Sequence, residues 1–137
     1  MNRYTYNELA VGQSESFDVV ITESMIKSFL DITADNNPLH TDEAYAKTMY
    51  SGKVVYGMLT ASFLSTLAGV HLPGKYSLIQ KTDVEFITPV FIGDTLTFTG
   101  KIVHKSDSFR IVELKVSATS NKGKKVLRGK MRVGVLK

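Results

Sequence analysis

Hydrophobic and polar positions follow two different periods along the chain. Between residues 22 and 33 the apolar side chains recur at the spacing of a helix with one buried face: Met25, Ile26, Phe29 and Leu30. Thr22 can cap the first turn of this run, so the pattern predicts a helix that begins after Thr22 and runs to Thr33. A short strand, Ser16 to Ile21, is predicted before it, and a second short helix after Thr41.

The stretch from Gly57 to Val70 is apolar on nearly all sides and contains no charged residue. A helix with that composition is buried all round. At about 1.5 Å per residue it would be roughly 20 Å long, which matches the core of a small domain. Gly69 and the Pro73-Gly74 pair are expected to end it.

From Leu78 onwards the period changes to two, which is typical of strands with one buried face. Turns are predicted at Gly93-Asp94 and at residues 121–123. The apolar positions that share the buried face are Leu96, Phe98, Ile102, Val112, Leu114, Val116, Ala118, Leu127, Met131, Val133 and Val135. The predicted fold class is therefore α+β, with a curved antiparallel sheet wrapped around a long buried central helix.

Length and composition limit the class of protein. The chain has 137 residues, which predicts a single domain over residues 1–137. It has no cysteine, which excludes disulfides, a thiol nucleophile and cysteine-ligated metals, and is consistent with the reducing cytoplasm. No signal peptide and no stretch long enough to span a bilayer is present, so a cytoplasmic protein without membrane insertion is expected.

The net charge of +4 conceals an asymmetry between the two parts of the chain. Residues 101–137 contain eleven Lys and Arg against two acidic residues, whereas residues 1–100 contain six against eleven. A basic region of this kind can bind an anionic partner such as nucleic acid, a phosphorylated cofactor or an acidic carrier protein. Alternatively, these lysines and arginines lie on the solvent side of strands. On charge alone, this second interpretation is favoured. The basic strands do not resemble a helix-turn-helix, so no nucleic acid is expected.

The segment with the clearest candidate chemistry is Asp35-Asn36-Asn37-Pro38-Leu39-His40. Pro38 cannot continue a helix, so a tight non-helical segment between two helices is predicted, and it can bring Asp35 and His40 to one side. A carboxylate beside an imidazole is a general acid–base pair able to activate water. The structural alternative is that Asp35 caps loop amides and His40 packs locally. On the residues alone, that alternative is the more common one.

Other chemistry has little support in the sequence. The three histidines, His40, His71 and His104, lack metal-ligand spacing, so no metal site is expected. No glycine-rich phosphate loop is present, and no nucleophile-elbow pattern surrounds Ser62 or Ser65.

The motif Asp35-x-Asn37-Pro38-x-His40 resembles the hydratase motif of the MaoC-like, or (R)-specific enoyl-CoA hydratase, family, which has the hot-dog fold. Four further stretches resemble the family in the same order: Tyr6-x-Glu8-Leu9-x-Val11-Gly12, Thr22-Glu23 followed by Phe29, Val55-x-Gly57-Met58-Leu59, and Phe86-x-x-Pro89-Val90-x-x-Gly93-Asp94. The resemblance covers nearly the whole chain. It agrees with the helix-in-a-sheet packing predicted from the periods.

The resemblance implies hydration of a trans-2-enoyl thioester to an (R)-3-hydroxyacyl thioester. Asp35 would be the base that activates water, and His40 would orient the water and help to deliver a proton. The backbone N–H of Gly57 would stabilise the enolate oxygen, while Asn37 and Ser62 would support the dyad. One departure is Tyr56, because many family members have histidine at that position; the exchange is expected to alter local packing more than chemistry.

The resemblance also implies the partners. Coenzyme A or acyl carrier protein would enter as part of the substrate with no separate cofactor, and the chain would form a homodimer. Met58, Leu59 or Phe63 are candidates for the floor of the acyl tunnel. Two alternatives remain, a hot-dog acyl-thioesterase and a non-catalytic acyl-thioester-binding module. The absence of a carboxylate between Gly57 and Val70 argues against one kind of thioesterase, which carries a catalytic carboxylate on that helix.

Overall fold

The computed structural model describes all residues from 1 to 137. Its elements are a 3-10 turn (Tyr6–Glu8), β1 (Ser14–Val20), α1 (Glu23–Thr33), α2 (Pro38–Thr41), α3 (Glu43–Ala46), α4 (Gly57–Thr66) with a π turn (Leu67–His71), β2 (Ser77–Phe86), β3 (Thr95–Ser106), β4 (Ile111–Ser120) and β5 (Lys125–Val135). None of the helices has both the length and the apolar character needed to cross a membrane.

The five strands form one antiparallel sheet in the order β1-β3-β4-β5-β2, with α4 as the central helix. The core is a cluster of 24 buried residues, to which the helix contributes Leu59, Leu64 and Leu67. All eleven apolar positions selected by the period of two are buried. The predicted α+β class and the buried faces of the last three strands are therefore confirmed.

Basic residues occupy the outer face of the sheet. Lys101, Lys115 and Lys130 lie directly opposite one another on β3, β4 and β5, all three are exposed, and none forms an ion pair. Like charges placed opposite one another in a sheet are mildly destabilising. The solvent-side interpretation of the basic strands is thus consistent with the fold.

The first long helix begins and ends as its sequence predicts. The hydroxyl of Thr22 accepts a hydrogen bond from the backbone N–H of Met25 at 3.3 Å, which satisfies one free amide of the first turn. At the other end, Ala34 adopts a left-handed conformation with φ of 57°, and its N–H donates to Leu30. The chain therefore leaves α1 at a sharp angle just before Asp35.

One prediction for the Asp35–His40 segment is wrong. His40 does not lie on a non-helical stretch, because residues 38–41 form the short helix α2. Proline is tolerated at the first helical position, where its missing N–H has no partner to lose. The side-chain oxygen of Asn37 also caps this turn by accepting from the N–H of Leu39 at 3.0 Å. Pro38 therefore begins a helix instead of preventing one.

The central helix is not buried all round, contrary to the prediction. Met58 is 65% exposed, and Ser62 and Ser65 are exposed as well. The sheet of a single chain covers only part of the helix circumference, which leaves this face open. The helix also changes form near its end, where the N–H of Leu72 donates to the carbonyl of Leu67 at 2.8 Å, five residues earlier.

Candidate active site

A cavity of about 470 Å³ lies where α2 and the first turn of α4 meet the ends of β2 and β5. Its walls are mainly apolar, and the polar side chains in it include His40 and Thr60. The apolar lining residues include Val54, Val55, Phe86, Ile87, Val90 and Val126. Its volume lies in the usual range for a small-molecule site.

His40 is held in one orientation at the wall of this cavity. Its Nδ1 lies 2.6 Å from the backbone carbonyl oxygen of Val54. A carbonyl oxygen can only accept a hydrogen bond, so Nδ1 is the donor and the neutral ring has its lone pair on Nε2. The ring of Tyr56 packs against the imidazole with centroids 4.2 Å apart. The local contacts thus determine both the tautomer and the ring position.

The carboxylate of Asp35 is exposed and is fixed by its own loop. One of its oxygens, Oδ1, accepts a hydrogen bond from the N–H of Asn37 at 3.1 Å. Asn37 also caps α2, the turn that contains His40. A single asparagine therefore connects the position of the carboxylate to that of the imidazole.

Gly57 begins α4 and lines the same cavity as His40. Its backbone N–H has no acceptor within the chain, as expected for the first turn of a helix without a side-chain cap. A Cβ at this position would lie 3.2 Å from the ring of Phe86, so any side chain here would press on that ring. Glycine thus leaves an unpaired donor, at the positive end of a helix, on a residue that lines the cavity.

Residues 7–123 match the family described as the MaoC like domain. The chain belongs to this family. It is 34% identical over 131 residues to an (R)-specific enoyl-CoA hydratase of Rhodospirillum rubrum, an alignment that covers 95% of this chain and 90% of the relative. It is also 39% identical over 90 residues to an (R)-specific enoyl-CoA hydratase of Aeromonas caviae, covering 65% of this chain and 67% of the relative.

Solved structures of related hydratases have the same fold as this MaoC-like chain. An R-hydratase from Pseudomonas aeruginosa superposes with a TM-score of 0.90 at 28% identity, covering 96% of this chain and 84% of the other. The (R)-hydratase of Aeromonas caviae superposes with a TM-score of 0.89 at 31% identity, covering 93% and 97%. The predicted family and hot-dog fold are confirmed, and the chain is a hydro-lyase of the MaoC family.

Tyr56, the departure from the family motif, is more closely connected to the dyad than the sequence suggested. The side chain is 2% exposed, and its hydroxyl donates to the backbone carbonyl of Asp35 at 2.6 Å. Burial, together with the negative charge of Asp35, raises the pKa of this hydroxyl above its usual value. The group therefore remains a hydrogen-bond donor at neutral pH.

Ser62 is not brought to the dyad within this chain. Its hydroxyl donates to the carbonyl of Leu59 in its own helix at 2.6 Å, and the residue does not line the cavity. The residues expected at the tunnel floor, Met58, Leu59 and Phe63, do not line the cavity either. Thr60 and the strand residue Val126 do.

Val126 was missed because β5 is irregular at its start. The pairing between β4 and β5 shifts between Ala118 and Thr119, so Val126 and Leu127 are both buried although they are adjacent. A strict period of two cannot find two consecutive buried residues. The backbone carbonyl of Val54 orients His40. The sequence could not indicate this contact, because every residue has a backbone carbonyl.

The remaining candidate sites contain none of the predicted catalytic residues. A second cavity, of about 600 Å³, lies on the outer face of the sheet and is lined by Lys101, Lys115, Lys130 and other polar side chains. No group of three His, Asp or Glu side chains converges anywhere in the chain in a way that would hold a metal ion.

Proposed function

We propose that this chain interconverts trans-2-enoyl thioesters and (R)-3-hydroxyacyl thioesters by adding water across the C2–C3 double bond. The observation that carries the proposal is that His40 and Gly57, whose N–H is unpaired, line one mainly apolar cavity. Asp35 does not line the cavity, but it is connected to His40 through Asn37, which caps the turn of His40, and through Tyr56, whose ring packs against the imidazole. The hydratase names of the relatives in Rhodospirillum and Aeromonas support the same reaction and the same hand of product.

In the proposed mechanism, Asp35 and His40 act on one water molecule. The carboxylate of Asp35 accepts a proton as the water oxygen bonds to C3 of the enoyl group. The lone pair on Nε2 of His40 accepts a hydrogen bond from the other O–H of the water, which stays on the oxygen, and so orients the water, because Nδ1 is engaged with Val54. The proton taken by Asp35 is then delivered to C2, with His40 taking part, which restores the carboxylate and makes the net change the addition of one water.

The thioester carbonyl is proposed to bind at the start of α4. Negative charge develops on its oxygen as C3 is attacked, and Gly57, which lines the cavity, has a backbone N–H without an acceptor in the chain. The positive end of the helix dipole adds to this stabilisation. Donors fixed in advance within an apolar pocket are among the largest contributions to catalysis.

Two further residues are proposed to support the dyad. Asn37 does so through its hydrogen bond to Asp35 and its cap on the turn of His40. The supporting role of Ser62 is proposed from the family resemblance alone, because in this chain its hydroxyl bonds to Leu59 and it lies outside the cavity. If Ser62→Ala keeps wild-type turnover, this role for Ser62 is wrong, because only the bond within the helix would then have been removed.

We propose that the acyl carrier is coenzyme A or acyl carrier protein and that the chain acts as a homodimer. Both carriers are negatively charged, and the positive net charge of the chain would favour their approach. The dimer is supported by β2, an edge strand whose exposed side chains include Leu78, Ile79 and Phe86. A second copy paired along this edge would cover apolar surface that a single chain leaves open.

The proposal is tested by mixing the purified protein with a short trans-2-enoyl-CoA. Loss of the conjugated-enoyl absorbance without release of free thiol, giving the (R)-3-hydroxyacyl product, is expected. Thiol release would identify a thioesterase instead. If neither occurs with short, long or carrier-linked substrates, the chain is a binding module and the proposed reaction is wrong.

The dyad is tested with Asp35→Asn and His40→Gln. Each is expected to lower turnover by about 10²- to 10⁴-fold, the usual contribution of general acid–base catalysis. Asp31→Asn and His104→Gln are matched controls, because they make the same chemical changes at exposed positions outside the cavity. Wild-type turnover in either dyad variant would rule out the assigned role of that residue.

A further inference from the structure

Tyr56 contacts both residues of the dyad, the backbone of Asp35 through its hydroxyl and the imidazole of His40 through its ring. It is the residue immediately before α4, and its ring lies between the imidazole of His40, at 4.2 Å between centroids, and the ring of Phe29, at 4.8 Å. The side chain is almost fully buried. Its position is therefore set by the core of the protein and not by solvent-facing contacts.

The hydroxyl of Tyr56 makes a contact that no other distant residue supplies to residues 34–37, the loop between α1 and α2. The other hydrogen bonds of this loop come from neighbours in the sequence: Asp35 N–H to the hydroxyl of Thr33, Asn37 N–H to the carboxylate of Asp35, and the hydroxyl of Thr41 to carbonyls of the loop. The helix α2 that follows is held from a distance by Val54, which bonds to Leu39 and to the His40 ring. The 2.6 Å bond from Tyr56 does the same for the loop itself. Without it, the backbone at Asp35 would be held only by its neighbours in the sequence.

We propose that Tyr56 is a positioning residue that aligns Asp35 and His40 for catalysis. Its hydroxyl anchors the backbone of Asp35 and its ring restricts the imidazole of His40, so one rigid side chain sets the distance between them. This inference rests on the proposed hydratase function. It replaces the expectation that tyrosine at this position affects packing more than chemistry.

The chemistry explains why the anchor matters. Water must lie within hydrogen-bond reach of both the carboxylate and Nε2 while C3 is attacked, and small misplacements of catalytic groups have large effects on rate. A tyrosine side chain suits this task, because its ring is stiff and its hydroxyl lies far from the backbone. The same ring also forms part of the core and cannot drift.

The test removes one atom from each of two tyrosines. Tyr56→Phe deletes the hydroxyl that binds Asp35 and keeps the ring against His40. Tyr6→Phe is the matched control, because Tyr6 is also buried and its hydroxyl also makes a 2.6 Å bond, to Asp107 beyond β3 and away from the cavity. We expect Tyr56→Phe to lower kcat by about 10- to 100-fold with KM within about twofold, and Tyr6→Phe to leave both unchanged.

Two further measurements separate positioning from stability and from the reaction itself. Thermal unfolding shows whether a variant is folded at the assay temperature, and if Tyr56→Phe is not, all proteins are assayed at a lower temperature at which it is folded. NMR of the amides of residues 35–37 and of the His40 ring reports the anchor without substrate. These signals are expected to shift and the amides to exchange faster in Tyr56→Phe.

The outcomes distinguish the two proposals. If the wild-type protein hydrates the substrate and Tyr56→Phe keeps kcat within twofold of it, the positioning role is wrong and the hydratase function stands. If the wild-type protein hydrates no enoyl thioester, the proposed function fails. In that case unchanged loop and His40 signals in Tyr56→Phe would overturn the anchor as well, whereas shifted signals would support it.

Discussion

Single residues at the ends of elements determine where the groups of the site lie. Thr22 caps α1 and Asn37 caps α2. Gly57 begins α4, has no side chain, and keeps its backbone N–H unpaired. The sequence indicated the cap at Thr22 and the glycine that begins α4, because both have recognisable residue types, but not the cap at Asn37, because residues 38–40 were expected to be non-helical. It also did not indicate the bond from Tyr56 to Asp35, because that bond depends on two segments twenty-one residues apart in the chain.

Tyr6 makes the stability of the folded protein depend on pH in the alkaline range. Burial, and to a lesser extent the bond to Asp107, raises the pKa of Tyr6 from 10.0 to about 12. The unfolded chain therefore loses this proton first as pH rises, so the stabilisation from Tyr6 is complete below pH 10 and is lost between about pH 10 and 12.

The measurement is urea unfolding of the wild-type protein and of Tyr6→Phe at several pH values from 9 to 12. Other groups titrate in both proteins, so the difference between the two isolates Tyr6. The stability advantage of the wild-type protein over the variant is expected to shrink across this range. Parallel curves for the two proteins would show that the folded and unfolded states release the Tyr6 proton at the same pH.

The strands show what a repeating pattern can and cannot predict at the scale of an element. Alternation identified the buried faces of β3, β4 and β5, because successive side chains of a strand point to opposite faces and only one face of this sheet packs on the core. It missed Val126, where the pairing of β4 and β5 shifts, and it did not indicate that Phe86, at the end of the edge strand β2, is half exposed. Both residues line the cavity, so the irregular positions are the ones that shape the candidate site.

Gly129 permits the close approach of β2 to β5. A Cβ on it would lie 2.0 Å from the carbonyl oxygen of Asp83, which is far inside contact distance. Gly129→Ala is therefore expected to cost about 3 kcal/mol or more in unfolding free energy, since backbone and not a flexible side chain must move. Displacing β2 would also move Phe86 at its end, so activity should fall even where the variant stays folded.

Gly69→Ala is the matched control for this prediction. A Cβ there would meet only the hydroxyl of Ser77, at the ordinary distance of 3.9 Å. Chemical unfolding of both variants gives the comparison, and Gly69→Ala is expected to be neutral or slightly stabilising. Equal stability of the two variants would mean that β2 and β5 tolerate a wider separation than their pairing implies.

Part of the apolar surface of the single chain is uncovered. The exposed side chains include Leu78, Ile79 and Phe86 on the edge strand β2 and Met58 on α4, and Phe86 and the exposed Ile87 also line the cavity. A sheet edge of this kind favours pairing with another strand. The sequence could not reveal this, because a strand with alternating apolar residues looks the same whether its second neighbour is in its own chain or in another.

The proposed homodimer predicts that activity depends on protein concentration. Leu78→Glu places a charge on the exposed edge of β2 and is expected to shift the mass toward that of a monomer and to lower specific activity at equal protein concentration. Val103→Glu is the control, because Val103 is similarly exposed but lies on β3, inside the sheet. Light scattering after size-exclusion chromatography measures the mass. A monomeric wild-type protein with full activity would refute the dimer.

The π turn at Leu67–His71 affects how this chain should be aligned with its relatives. A π turn contains one residue more than the α turn that it replaces. Inserting one residue into a helix whose two ends are both held in place therefore produces a π turn. Deleting one residue here would restore an ordinary helix between Gly57 and Leu72 without moving either end. Where a relative has an uninterrupted helix, the gap belongs inside 67–71, and residue correspondences in all the strands that follow depend on placing it there.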